Sequence, residues 1–244
     1  MSKIVKRTLD FFELFERTRR PLSLSGVARE LDLPASSCHD VLRTLVEHGF
    51  VYQPGERGEY YPTQRLGLLA AEIARNDPFL LRVRTDLRDL SARHGRSCFL
   101  ARIDGKTARY VLVVEAYGPW RYHIEEGAEV RHPHATSAGK ALLGQLTPEV
   151  RAAVIAALPM PVLTPQTIQT REDLAADIEM SRARGWYLNK EESVRTAMTI
   201  SVPLHWNAED YILTMAGPGV SDDAEINAIA ADLAAAARRL EAPR

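Results

Sequence analysis

Cysteine is almost absent from this 244-residue chain, which has only Cys38 and Cys98, too few for a disulfide framework. Long apolar runs are missing too. The longest uncharged stretch of consequence, residues 197–206, is half of what a bilayer-crossing helix needs. Neither charge sign dominates: the formal net charge is −1, which argues against nonspecific attachment of the whole molecule to polyanions. In the opening MSKIVKRTLDFFELFER, charges interrupt the apolar residues, so no signal peptide is expected. What is present is 45% hydrophobic and 26% charged residues, the balance of a folded chain with a core and a solvated surface. The length allows one large domain or two ordinary ones. A cytoplasmic protein without a membrane partner is the expectation.

Residues 1–65 hold ten Lys/Arg against nine Asp/Glu, so DNA binding there would rest on a few placed charges and on dimerisation. Val5, Leu9, Phe12 and Phe15 recur at helical spacing. Arg19, Arg20 and Pro21 break that helix. Leu24, Val27, Ala28 and Leu31 mark a second, with Ser23 or Ser25 as its N-cap. Asp32-Leu33-Pro34 makes a short turn into a third helix, from about Pro34 to His48, which Gly49 ends. Two β-prone triplets, 50–52 and 59–61, flank a Pro/Gly turn. The order is helix, helix, short turn, helix, hairpin: a helix-turn-helix with a wing.

On the third helix, Cys38, Val41, Leu42, Leu45 and Val46 share one stripe. Ser36, Asp40, Arg43 and Glu47 face the other way, flanked by Ser37, His39 and Thr44. Arg43 can fork to guanine O6 and N7, and Asp40 can accept from cytosine N4. Ser36 and Ser37 lie where a helix N-terminus meets phosphate. An isolated helix with this pattern would be read as a solvated face; the preceding helix-turn-helix order favours a DNA reader. Arg57 at the wing tip is a candidate phosphate or minor-groove contact. Arg17, Arg19 and Arg20 are read as surface charges.

A further helix, Leu66 to Ala74, ends near Asn76-Asp77-Pro78. Beyond it the pattern mixes helices (to about His94, 138–145, 149–158, 172–184 and 223–240) with strand-like runs (98–103, 110–116, 198–204 and 211–216). That mixture predicts an α+β domain built on one sheet.

In the run 134–140, small residues lead directly into a helix and leave its first N–H groups unshielded, an arrangement that attracts a carboxylate. On these letters alone, a plain helix start capped by Thr136 or Ser137 is the favoured reading. The run fails as a phosphate-binding P-loop: His134 replaces the first glycine and Ala141 the metal-binding hydroxyl. His123, His132 and His134 raise a metal reading, but only the H-x-H pair has ligand-like spacing, so no metal and no cofactor are expected. G-x-S-x-G, H-E-x-x-H and G-x-G-x-x-G are all missing, and Cys98 beside Phe99 and Leu100 reads as a buried strand cysteine. Glu191 and Glu192, adjacent in an extended segment, would point apart. A protein that is not an enzyme follows. A ligand sensor whose helix-turn-helix no longer binds DNA stays open beside the regulator reading.

The runs LSLSGVARELDLPASSCHDVLRTLVEHGFVYQ and YYPTQRLGLLA, with GKTARYVLVVEA, HPHATSAGKALLGQL and RGWYLNKEESVRTAMTISVPL, resemble the IclR family of bacterial transcriptional regulators over nearly the whole chain. HATSAGKALL, similar to the family's H-A-x-x-x-G-K-A signature, is the most specific piece. The resemblance implies a winged helix-turn-helix domain over 1–63, a linker helix over 64–78 and a GAF-like α+β effector-binding domain over 79–244. It implies a homodimer or dimer of dimers on an inverted-repeat operator in double-stranded DNA, and a small-molecule effector, often a carboxylate. Carried over by position, the effector site takes the helix start Ser137 and Ala138, the loop residue Asn189, and Thr199, Thr214 and Ala216 on strands. Trp120, Tyr122, His123 and His132 are further candidates for its lining. Ala216 stands where some members have a hydroxyl, which suits a larger acid such as an aromatic one. The chain departs from the family where Asp32 and Thr196 replace usual glycines and where Asp40 replaces a common arginine.

Overall fold

The computed structural model describes residues 3–55, 58–117, 122–220 and 222–242. The chain divides into two compact units, 1–77 and 78–244.

In the first unit, α1 (Lys3–Thr18), α2 (Leu24–Leu31) and α3 (Ala35–Glu47) surround a core of Phe11, Leu14, Phe15, Val27, Cys38, Leu42 and Leu45. Ser23 is the N-cap of α2, its hydroxyl accepting from Gly26 N at 3.2 Å. Asp32 ends α2 in the left-handed region (φ 51°), and its neighbour Leu33 returns its N–H to Ala28 O. After α3, Gly49 (φ 71°) reverses the chain and Phe50 N donates to Leu45 O. The wing strands β2 (Val51–Tyr52) and β3 (Glu59–Pro62) pair antiparallel, and β3 also pairs with β1 (Leu22–Ser23) in the order β1-β3-β2. Strand β1, two residues long, is too short to leave a period in the sequence. Then α4 (Arg65–Arg75) follows with no buried residue.

The second unit is a five-stranded antiparallel sheet in the order β5-β4-β8-β7-β6. Its strands are β4 (Ser97–Asp104), β5 (Thr107–Val114), β6 (Tyr187–Lys190), β7 (Ala197–Trp206) and β8 (Glu209–Pro218). Period-two alternation sorts the side chains onto two faces. Met198, Ile200, Val202, Leu213 and Met215 pack with α5 (Pro78–His94) and α9 (Asp223–Glu241). Phe99, Ile212 and Ala216 pack on the other face with α6 (Ser137–Gln145), α7 (Pro148–Ala157) and α8 (Arg171–Arg184). That second face places Thr199, Ser201 and Thr214 beneath the start of α6. Among the described residues no helix is long and apolar enough to cross a membrane.

Candidate functional site

On α3, burial of Cys38, Leu42 and Leu45 leaves Ser36, His39, Asp40, Arg43 and Thr44 exposed, with Ser37 half-buried. The helix therefore presents one polar face. Arg43 reaches Asp40 Oδ1 through one guanidinium nitrogen and Glu47 Oε1 through Nε, each at 3.9 Å. Pairs this loose and this exposed are worth little, so they leave the guanidinium available to another partner. Thr44 Oγ1 donates to the Asp40 carbonyl at 2.9 Å. Arg57 lies outside the described residues.

In the second unit, Thr136 is the N-cap of α6, its hydroxyl accepting from Gly139 N at 3.2 Å. Gly139 is required by close approach: a Cβ there would stand 2.3 Å from the Pro133 Cα. Ser137 Oγ hydrogen-bonds Thr199 Oγ1 at 2.7 Å and Ser201 Oγ at 2.8 Å, and Ser201 Oγ in turn meets Thr214 Oγ1 at 2.8 Å. Four buried hydroxyls thus form one chain across the α6–β7–β8 junction. Such a chain can reorient, each oxygen acting as donor or acceptor.

Three of these residues, Ser137, Thr199 and Thr214, floor a small space of about 10 Å³, also lined by Phe99, Tyr110, Tyr122, Ile124, Thr136, Ala138 and Ala216. Above it lies an open cavity of about 720 Å³ that shares Tyr110, Tyr122, Ile124 and Thr136 with the floor. Its walls add His123, Arg131, His132, Leu163 and residues 193–196. That size suits a small-molecule ligand. The structure therefore brings together Ser137, Ala138, Thr199, Thr214 and Ala216, with Tyr122, His123 and His132 above them. Trp120 lies outside the described residues. Asn189 lines neither space: its Oδ1 accepts from Glu192 N at 2.8 Å and its Nδ2 donates to Ser193 Oγ at 2.9 Å, which shapes the loop instead.

Two contributors, Ser201 and Asp177, were not singled out from the letters. Ser201 belongs to the hydroxyl chain, and its position two residues after Thr199 was the available signal. Lys140, fully buried, sets its ammonium 2.8 Å from Glu192 Oε1 and 3.0 Å from Asp177 Oδ2. Burial raises the Glu192 carboxyl above its ordinary value, and the Lys140 charge pulls it back. Glu191 and Glu192 do not lie in an extended segment. Glu191 has φ 64°, and the hydroxyls of Thr164 and Thr167 donate to the Glu191 and Glu192 carbonyls.

His132 and His134 are not on a strand either, since His132 has φ 49°, and their rings meet edge-on at 6.1 Å. His134 is fully buried with Nε2 3.1 Å from Pro161 O. Among the described residues no three His, Cys, Asp or Glu side chains converge as a metal site. Burial pushes the Cys98 thiol up to about 12, which makes it inert as a nucleophile.

A winged helix-turn-helix with an exposed polar third helix, joined to a sensor domain with a ligand-sized cavity, defines a two-domain transcriptional regulator. The family model for the IclR helix-turn-helix domain matches residues 4–55, and that for the bacterial transcriptional regulator IclR C-terminal domain matches residues 76–242. The chain belongs to the IclR family. Among curated relatives, the HTH-type transcriptional regulator XynR of Escherichia coli is 27% identical over 213 residues, covering 86% of this chain and 82% of that protein. A crystal structure of an IclR-type regulator from Silicibacter sp. TM1040 shares the fold with a TM-score of 0.69 and 24% identity, covering 98% of this chain and 94% of the other. An IclR homolog from Microbacterium hydrocarbonoxydans, crystallised with 4-hydroxybenzoate, has a TM-score of 0.65 and 22% identity, covering 98% of each chain.

Proposed function

We propose that this regulator binds an inverted-repeat operator in the cytoplasm as a dimer or dimer of dimers, and that an organic acid seated under α6 changes its DNA affinity. The observation that carries this reading is the convergence of Ser137, Ala138, Thr199, Thr214 and Ala216 at one helix start beneath one cavity. A carboxylate there would accept from the first N–H groups of α6 and from the hydroxyls, favoured by the helix dipole. The aromatic lining by Phe99, Tyr110 and Tyr122 supports an acid with an apolar body, and the Microbacterium homolog's 4-hydroxybenzoate is such a molecule.

On the DNA side, Ser36, Ser37, His39, Asp40, Arg43 and Thr44 form the reading face, with Arg57 on the wing. Dimerisation is supported by unpartnered apolar side chains on α1 (Ile4, Val5, Leu9) and α4 (Leu68, Leu69, Ile73). Paired recognition helices would then enter major grooves one turn or a multiple apart. Helix α4, in the linker over 64–78, carries the ligand-dependent difference between the 1–63 and 79–244 domains. A ligand shifts DNA affinity only by binding the two conformations unequally.

The test is a footprint on DNA upstream of the gene and on genome-selected fragments, with competitor DNA at physiological salt. A protected inverted repeat, lost in Arg43→Ala and altered by an organic acid, is expected. Equal protection by Arg43→Ala would remove α3 as the reader. Absence of any selected fragment would leave a sensor without DNA.

A further inference from the structure

We propose that the effector is a two-headed acid: one anionic group on the α6 floor and a second, across an apolar body, held at the cavity rim by Arg131 and Arg195. This deepens the effector reading above and rests on it.

The cavity has a layered chemistry. Its floor is hydroxyl-lined and has no free cation among the described residues, the nearby Lys140 ammonium being held between Glu192 and Asp177. Its walls include the apolar surfaces of Tyr110, Tyr122, Ile124, Ala128, Leu163 and Val194. Its rim carries Arg131 and Arg195, both exposed, and neither guanidinium has a hydrogen-bond or ion-pair partner among the described residues. Two unpaired guanidinia opening on one apolar-walled space are suited to a carboxylate or phosphate oxygen pair.

The other titratable groups on that wall are accounted for as follows. Glu129 faces Arg109 at 3.7 Å, and His123 Nδ1 is 3.1 Å from Glu115 Oε1. His132 contributes a ring, and Glu125 is the one carboxylate lining the cavity without a side-chain partner among the described residues. The rim therefore keeps an excess of cation over anion. A monoacid seated on the floor would leave both guanidinia unused. At about 720 Å³ the cavity also exceeds what a two- or three-carbon acid needs to be enclosed.

The two arginines reach the rim from different segments. Arg131 precedes the turn that caps α6, and Arg195 lies in the loop that Lys140 anchors through Glu192. A ligand bridging floor and rim would tie those segments together. A ligand on the floor alone would not.

The experiment measures binding of three matched acid pairs to the full-length protein by calorimetry: hexanoate and adipate, octanoate and suberate, benzoate and terephthalate. The proposal expects at least one diacid to bind about tenfold tighter than its monoacid, the ratio that ~1.4 kcal/mol of charge-assisted pairing produces. In Arg131→Gln/Arg195→Gln that advantage disappears while the monoacid constant stays within about twofold, and far-UV circular dichroism reports the fold. Monoacids binding as tightly as their diacids would overturn the proposal. So would a variant that weakens both equally, or six acids that all fail to bind. Operator release separates the two readings: monoacids that release DNA as well as diacids leave the acid-sensor reading standing and remove this one. A panel in which no acid binds or releases DNA counts against both.

Discussion

Lys140 and Glu192, 52 residues apart in sequence, form a buried ion pair that joins α6 to the loop walling the ligand cavity. Lys140 lies one turn beyond Ser137, and Glu192 immediately precedes the cavity-lining residues 193–196. Asp177 of α8 completes the triad at 3.0 Å. The signature's lysine thus ties the floor of the site to its wall.

Breaking such a pair strands charge in a dry site and costs about 3–5 kcal/mol. Lys140→Met is expected to lower the unfolding free energy of the effector domain by about that amount. Glu192→Gln should cost less, since its amide still offers a hydrogen-bonding oxygen and Asp177 remains. In a double-mutant cycle followed by urea unfolding, the two substitutions should couple by more than about 1 kcal/mol. Strict additivity would mean that the pair does not exist in solution.

Thr196 holds a left-handed backbone with φ 62°, and its carbonyl accepts from Gly219 N at 2.7 Å. A β-branched residue is strained there. Thr196→Gly relieves that strain, and against the cost of glycine's freedom in the unfolded chain it should gain about 1 kcal/mol in denaturant unfolding. Thr196→Ala keeps a Cβ and should gain little. Asp32, left-handed at φ 51° at the end of α2, should gain less on mutation to glycine, because aspartate reaches that region more easily. A Thr196→Gly protein no more stable than the parent would show that the loop is relaxed as it stands.

Both positions were legible in advance as departures from a family glycine. The same is true of much of the fold: helical periods in 3–75 and strand runs at 98–103 and 198–204 lie within α1 to α4, β4 and β7. Strands β1 and β6 were not. They are two and four residues long, too short to show a period, and Leu22 pairs with Tyr60, distant in sequence, while Asn189 pairs with Thr199 across the intervening loop. Long-range pairing also explains the gaps at the site. Period two places Ser201 with Thr199, but nothing local announces that Asp177 faces Lys140 or that Asn189 turns its amide into its own loop. That Arg131 and Arg195 have no partner among the described residues likewise emerges only once the described carboxylates near them have been placed.

His134 adds a pH dependence of defined sign. Its Nε2 meets Pro161 O at 3.1 Å, and a carbonyl accepts, so Nε2 carries the proton and Nδ1 presents a buried lone pair without a partner among the described residues. Burial lowers its pKa from 6.5, with the His132 and Lys140 charges adding to the shift and the Pro161 hydrogen bond opposing it. The folded protein therefore holds the neutral ring, whereas the unfolded chain takes up a proton more readily. The stability this provides is present above about pH 6.5 and is lost as pH falls through the depressed folded value. His134→Gln keeps an N–H for Pro161 and removes the titration. Melting temperatures of the parent and this variant, taken from pH 7.5 to pH 5, should therefore converge or cross as acid is added. A gap that stays constant across that range would show that His134 does not titrate between the two states.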